Sequence, residues 1–329
     1  MPKQVLFHET GDADVLQIED QPLVEPGEGE VRIKVEAIGL NRAEVMFRRG
    51  QYLEQPSFPS KLGYEASGVI DALGSGVEGL SIGDRVSTIP AFSMVQYGVY
   101  GESAIVPAHA VAAYPEKLSP AEATSIWMQY MTAYGAIVDY GQLKAGVVVL
   151  IPAASSSVGL ASIQIVKAAN AMAIATTRGS SKKQALLDAG ADHVIVTDEE
   201  NLPERVMAIT GGRGANIVFD PVAGPTLTAL AQAAAMGGTI FVYGALATAP
   251  TPYPLMEALG KGLSIQGYTL FEITGDPERM ARAKQFVYDG LAAGDLTPIV
   301  ARTFSLDDIV EAHLFMESNQ QIGKIVVLT

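Results

Sequence analysis

The segment Val147-Val148-Val149-Leu150-Ile151-Pro152-Ala153-Ala154-Ser155-Ser156-Ser157-Val158-Gly159-Leu160 passes from an apolar strand through small residues into a helix bearing Ile163, Val166 and Ala169. Backbone N–H groups at such a helix start can hold a dinucleotide pyrophosphate. Read as G-x-G-x-x-G, the turn becomes Ala154-x-Ser156-x-x-Gly159, and only the last glycine survives. Ser155, Ser156 and Ser157 add hydroxyl donors, and the small side chains still permit close approach. The alternative is a serine-capped helix on a sheet that binds nothing.

The end of the next predicted strand bears on that choice. It reads Thr176-Thr177-Arg178-Gly179-Ser180-Ser181-Lys182-Lys183, about 20 residues past the loop, where an NAD site places an acid on the ribose 2′-hydroxyl. No Asp or Glu occurs between Asp139 and Asp188, whereas Lys144, Lys167, Arg178, Lys182 and Lys183 do. Ser180 and Ser181 as hydroxyl donors, with Arg178 and Lys182 as cations, suit a 2′-phosphate, which predicts NADPH over NADH, and Thr177 is a further cofactor-binding candidate. The alternative is a solvated helix start carrying two lysines.

Other chemistry is narrowed by what the chain contains. There is no cysteine, which removes disulfides, thiolate metal ligands and a cysteine nucleophile. His8, His109, His193 and His313 share no ligand spacing. With 36 acidic against 22 basic residues, the net charge of −14 disfavours a nucleic-acid partner. No apolar run approaches the roughly 18 to 20 residues of a membrane helix, and a cytoplasmic protein is expected.

These residues need two kinds of scaffold, and 329 residues exceed one hydrophobic core. Val31–Ala37 alternates as a strand, with Gly68–Ile70, Asp84–Ser87 and Ala104–Val106 as further short strands, so the first part reads as β-rich. After Ser119-Pro120 apolar strands alternate with alanine-rich helices, the pattern of a doubly wound parallel sheet. The strands expected are Val147–Ile151, Ala173–Thr176, His193–Ile195, Ile217–Phe219, Gly238–Val242 and Ser264–Gly267. The tail from Pro298 holds a helix, Leu306–Met316, and a strand, Lys324–Leu328, that can return to the β-rich part. The expected division is 1–121 with 298–329, and 122–297.

Eight segments in this order resemble the medium-chain dehydrogenase/reductase superfamily, in its zinc-independent quinone oxidoreductase (zeta-crystallin-like) branch. They are Gly39–Glu44, Gly63–Ile70, Gly83–Val86, Tyr100–Glu102, Thr132–Tyr134, Ala154–Gly159, Asp220–Gly224 and Gly323–Val326. The resemblance implies an α/β protein with a GroES-like β-rich catalytic domain and a Rossmann NADPH-binding domain. It also implies that the zinc ligands of alcohol dehydrogenases fall at Asn41, Tyr64 and Met128, none of which is Cys or His, so no metal is expected.

Without a metal to polarise a carbonyl, an already activated acceptor is the easier substrate: a quinone or an α,β-unsaturated carbonyl. Tyr52 is the first candidate proton donor, by likeness of Arg49-Gly50-Gln51-Tyr52 to enoyl-thioester reductases, and Tyr64 is the second. Asn41 is expected to orient the nicotinamide or the substrate oxygen. Glu44 and Glu65 read as members of a buried salt bridge. Gln129 and Thr132 are expected near the nicotinamide ribose, and Gly244, Ala245, Phe271 and Lys324 correspond to later cofactor-facing positions. Met46, Tyr52, Phe92, Tyr97, Trp127, Met128, Met131, Leu246 and Phe271 would make an apolar cleft, unless they are core.

Two other readings remain open. One is an enoyl-thioester reductase; the other is a nucleotide-binding structural or sensor protein without turnover. The apolar Leu263-Ser264-Ile265-Gln266-Gly267-Tyr268 is expected to be a sheet edge that pairs two copies into a homodimer.

Overall fold

A computed structural model describes residues 1–329 as two compact units, Met1–Met128 with Pro298–Thr329, and Gln129–Thr297. The first unit extends past residue 121 because the short helix Pro120–Ala123 packs on the strands Glu30–Gly39 and Glu65–Leu73. Ser119 starts that helix through a capping box with Glu122, and Pro120 takes the first turn, where a missing N–H costs nothing. Beyond it the Trp127 indole donates to Ser87 Oγ at 2.8 Å inside the same unit.

The first unit is built on a seven-stranded mixed sheet. Its spine, Glu30–Gly39, pairs antiparallel with Glu65–Leu73, Ser103–Pro107 and Lys324–Leu328. The last pairing, with Val326 opposite Gly39, brings the C-terminal strand beside Asn41. The tail also contains a strand that the sequence did not suggest, Val300–Ser305, parallel to Lys324–Leu328. Its burial lacks clean alternation, which hides it from a period-2 reading. The helix expected over Leu306–Met316 starts as a 3-10 turn, Leu306–Asp308, and continues as Ile309–Glu317.

The second unit carries six parallel strands in the spatial order His193–Val196, Met172–Thr177, Val148–Ile151, Ala215–Asp220, Ala234–Val242, Ser264–Gly267. All six expected strands form, most of them a residue or more longer. The order reverses between Val148–Ile151 and Ala215–Asp220, so the loops after these two strands flank the switch point where such sheets bind ligands. Leu150, Ile174, Ile195, Val218 and Ile240 are fully buried between sheet and helices, the continuous apolar filling that a sheet covered on both faces requires. Tyr134–Tyr140 is π-helical rather than α-helical. A Cβ at Gly135 would come within 2.1 Å of Tyr268 Oη, so that segment admits a ring where a side chain would stand. No helix is long and apolar enough to cross a membrane.

Candidate active site

In the first unit the site begins at the end of the spine strand. Asn41 caps the helix Arg42–Arg48 in a box with Glu44, whose carboxylate accepts from the Asn41 backbone N–H. The Asn41 amide donates to Gly39 O, Glu44 Oε1 and Glu65 Oε2, each at 3.2 Å, and its Oδ1 accepts from Lys324 Nζ at 2.6 Å. Lys324 also pairs with Glu65, and both side chains are 1% exposed. Glu65 Oε1 accepts from the Met128 amide at 2.9 Å, and Glu44 Oε1 from the Tyr64 amide at 3.3 Å. A Cβ at Gly39 would lie 2.8 Å from Lys324 Cε and 2.4 Å from Thr124 O, so glycine there lets the lysine reach its partners.

Asn41, Tyr64 and Met128 are thus joined through Glu44 and Glu65. Where the resemblance put zinc ligands stand an amide, a phenol and a thioether, and a lysine ammonium already pairs with the nearby carboxylate. These residues do not fit a zinc ion, and no group of three His, Cys, Asp or Glu side chains in the chain could hold one.

The buried charges have unequal settings. Burial raises the Glu44 carboxyl to about 7, against the pull of Lys324 and the Asn41 hydrogen bonds. Burial also pushes the Tyr52 phenol up to about 12, with the neighbouring Tyr64 opposing the rise. Tyr64, with no exposed surface, is raised much further, by burial first and then by Tyr52. The two rings meet edge to face, centroids 6.4 Å apart, and Phe92 lies 5.8 Å beyond Tyr64.

The second unit holds the expected nucleotide loop. Ser156 caps the helix Ser157–Ala168 by accepting from Gly159 N at 3.0 Å, which leaves the Ser157 and Val158 amides as first-turn donors. A Cβ at Gly159 would sit 2.6 Å from Ala154 Cα and O, the close helix-to-strand packing for which the last fingerprint glycine is kept. Ala153 takes up the turn with φ 48°, a conformation that glycine would adopt more easily.

Lys182 closes the 3-10 turn Ser180–Lys182 and donates to Ser155 Oγ at 3.1 Å. Burial, and then the Arg178 charge, lowers its pKa. Arg178, Ser180 and Ser181 are exposed beside it, and Thr177 ends the strand. Gln129 is 3% exposed with its Oε1 unpartnered, Thr132 is buried, and Phe271 opens the helix Phe271–Thr274. Gly244 and Ala245 follow the strand Ala234–Val242, with Ala245 and Leu246 exposed.

Burial divides the expected apolar wall. Met46, Tyr52, Tyr97, Met128 and Phe271 keep partial exposure and Phe92 is 6% exposed, whereas Trp127 and Met131 have none, which suits packing residues. Two residues were not singled out by the sequence. Tyr243 stacks on Phe219, ring centroids 3.9 Å apart, and so fixes the chain just past the strand Ala234–Val242. Asp220, fully buried, accepts from the Val222 and Ala223 amides at 2.8 and 3.1 Å and shapes the turn at the switch point. Asp220 lies in one of the eight family-like segments, which assigned it no role; nothing local marked Tyr243, because its ring partner Phe219 belongs to another strand, Ala215–Asp220.

Comparisons with known proteins agree with this architecture. Residues 27–116 match the family described as alcohol dehydrogenase GroES-like domain, and residues 157–287 the one described as zinc-binding dehydrogenase. Human quinone oxidoreductase is 31% identical over 99% of this chain and 97% of its own length. Quinone oxidoreductase 1 of Escherichia coli K12 is also 31% identical, over the whole of both chains. The crystal structure of Escherichia coli quinone oxidoreductase complexed with NADPH superposes with a TM-score of 0.92 at 29% identity, covering 99% of this chain and all of that one.

Proposed function

The chain belongs to the quinone oxidoreductase family of the medium-chain dehydrogenase/reductases, and from that premise we propose that it uses NADPH to reduce a quinone or an α,β-unsaturated carbonyl without a metal. The observation that carries this reading is the loop around Ser155 and Lys182 at the switch point of a parallel sheet, with Arg178 beside it. Two nearby positive charges, one partly buried, repel one another until an anion joins them, and a 2′-phosphate is such an anion. The Ser157 and Val158 amides suit the pyrophosphate, and the unpartnered Gln129 Oε1 suits a donor on the nicotinamide side. A crystal structure of the Escherichia coli relative is an NADPH complex, which favours the same cofactor here.

Bound NADPH supplies two electrons and one hydrogen. The remaining tasks fall to the chain: holding the acceptor, keeping water away and giving one proton. We assign the proton to Tyr52, which is partly exposed, over Tyr64, which has no exposed surface. Lys324 acts through Asn41, fixing the amide oxygen so that the side chain has a single orientation. Met46, Phe92 and Met128 offer apolar contacts suited to an enone or quinone ring.

Purified protein mixed with NADPH and a panel of quinones, enones and enoyl thioesters tests the reading. Loss of NADPH absorbance with quinones or enones, faster than with NADH, is the expected result. Bound NADPH with no turnover on any acceptor would replace the reading by a sensor or structural role. Thioesters are disfavoured because Arg32, Arg48 and Arg49 in the first unit are already paired with Asp71, Glu317 and Asp12.

We also propose a homodimer through the terminal strand Ser264–Gly267. The helix leading into it exposes Leu255, Met256 and Leu259, a row of apolar side chains that a second copy would cover. Sedimentation at micromolar concentration should give twice 34.6 kDa; a monomer alone would refute it.

A further inference from the structure

We propose that Gln164 is a positioning residue for the cofactor: its side-chain amide holds Tyr130, and through Tyr130 it sets Gln129 for the nicotinamide end of NADPH. The inference rests on the reading above, in which the unpartnered Gln129 Oε1 receives a donor from bound NADPH.

Gln164 lies in the helix Ser157–Ala168, about two turns past Ser157, whose amide suits the pyrophosphate. Its neighbours Ile163 and Ile165 are buried and anchor this stretch of helix in the core. Gln164 Oε1 accepts from the Tyr130 hydroxyl at 2.8 Å and from the Thr297 N–H at 3.0 Å, and Nε2 donates to Thr297 O at 3.0 Å. Both lone pairs of the oxygen are used, and turning the amide over would set its NH2 group against two donors. The amide therefore has one orientation.

Tyr130 has no exposed surface, so its hydroxyl cannot exchange Gln164 for bulk water. It stands on the seven-residue helix Trp127–Ala133, which is too short to keep its place by backbone hydrogen bonds alone. The bond to the longer helix fixes both the height and the rotation of the short one at Tyr130. Gln129 is the adjacent residue, roughly 100° round the axis, and its direction is fixed along with that of Tyr130. Gln129 is 3% exposed and its Oε1 has no partner within the protein, which is unfavourable until a donor arrives. The nicotinamide carboxamide and the ribose hydroxyls of NADPH are such donors. One side chain thus links the helix start that suits the pyrophosphate to the residue that suits the nicotinamide end, and so sets the spacing of the two contacts.

Tyr130→Phe cuts this bond and keeps the ring, Gln164→Leu cuts it from the other end, and Gln164→Glu keeps an acceptor for Tyr130. NADPH binding to the full chain is followed by nicotinamide fluorescence, and steady-state kinetics with an enone separate KM from kcat. Tyr130→Phe should raise Kd and KM for NADPH about 3- to 10-fold, the loss of one neutral hydrogen bond, with kcat at saturating NADPH unchanged. Gln164→Leu should weaken binding at least as much, and Gln164→Glu should bind nearly as the parent does. Tyr130→Phe carries the test by itself if Gln164→Leu does not fold. In a Gln129→Ala background Tyr130→Phe should weaken binding no further, because the group it helps to position is gone. If Gln129→Ala weakens binding while Tyr130→Phe binds NADPH normally, the positioning role is overturned and the cofactor reading stands. Normal binding by Gln129→Ala overturns the contact assigned to Gln129 and, with it, the role of Gln164. Additive losses in the double variant, or Gln164→Glu as weak as Gln164→Leu, would make Gln164 a packing residue and overturn the inference. A parent protein that binds no NADPH overturns the cofactor reading itself, and this inference falls with it.

Discussion

Glu44→Gln should change the pH dependence of stability in a way that the buried network specifies. Glu44 has no exposed surface and sits at about 7 instead of the ordinary 4.5, because burial outweighs the help of Lys324 and the Asn41 hydrogen bonds. The folded state therefore holds this proton more tightly than the unfolded chain does. The stability it contributes is complete below about 4.5 and is lost as pH rises through about 7. At about 1.36 kcal/mol per pH unit, that interval corresponds to about 3 kcal/mol. Glutamine keeps one oxygen to accept from the Asn41 amide but cannot ionise. Its cost, of order 1 kcal/mol for the imperfectly replaced hydrogen bonds, is independent of pH. Urea unfolding of both proteins without cofactor, at several pH values from mildly acid to mildly alkaline, measures the difference. The variant should be the less stable at acid pH and gain on the parent by about 2 to 3 kcal/mol toward alkaline pH. A difference that stays flat across this range would refute the assignment of a neutral Glu44 below 7.

Four further outcomes are expected. Lys324→Met leaves Glu65 and Glu44 buried without their cation and should destabilise the protein by about 3–5 kcal/mol, read by urea unfolding, with Glu65→Gln in the same chain restoring much of the loss. Ala153→Gly relieves a left-handed alanine at φ 48° and should raise stability by about 1 kcal/mol, seen as a higher Tm. Lys182→Ala removes a cation beside Ser155 and should raise KM for NADPH about 10- to 100-fold while leaving NADH kinetics nearly unchanged, so that an equal effect on both would refute a 2′-phosphate contact. Gly159→Val puts a side chain where even a Cβ lies 2.6 Å from Ala154, and NADPH binding, followed by nicotinamide fluorescence, should weaken at least tenfold.

The second unit is legible in the sequence because its signals are local and repeated: six apolar strands spaced by helices, and a strand, turn and helix start that only one topology accommodates. The absence of acids from Asp139 to Asp188 is likewise a property of the chain alone, and the 3.1 Å contact of Lys182 with Ser155 gives it a place. The strand Val300–Ser305 and the π-helical Tyr134–Tyr140 are not legible, since their conformations follow from neighbours rather than from periodicity. The charged centre of the first unit belongs to the same class. Residue types alone made Glu44 and Glu65 candidates for a buried salt bridge, but the cation that answers them comes from Lys324, 259 positions from Glu65. Only the pairing of Val326 with Gly39 brings that lysine to Asn41. Sequence determined which groups are present and which chemistry they exclude; tertiary structure decided which charge meets which, because burial and distance set the energy of a charge and neither is a property of a residue by itself.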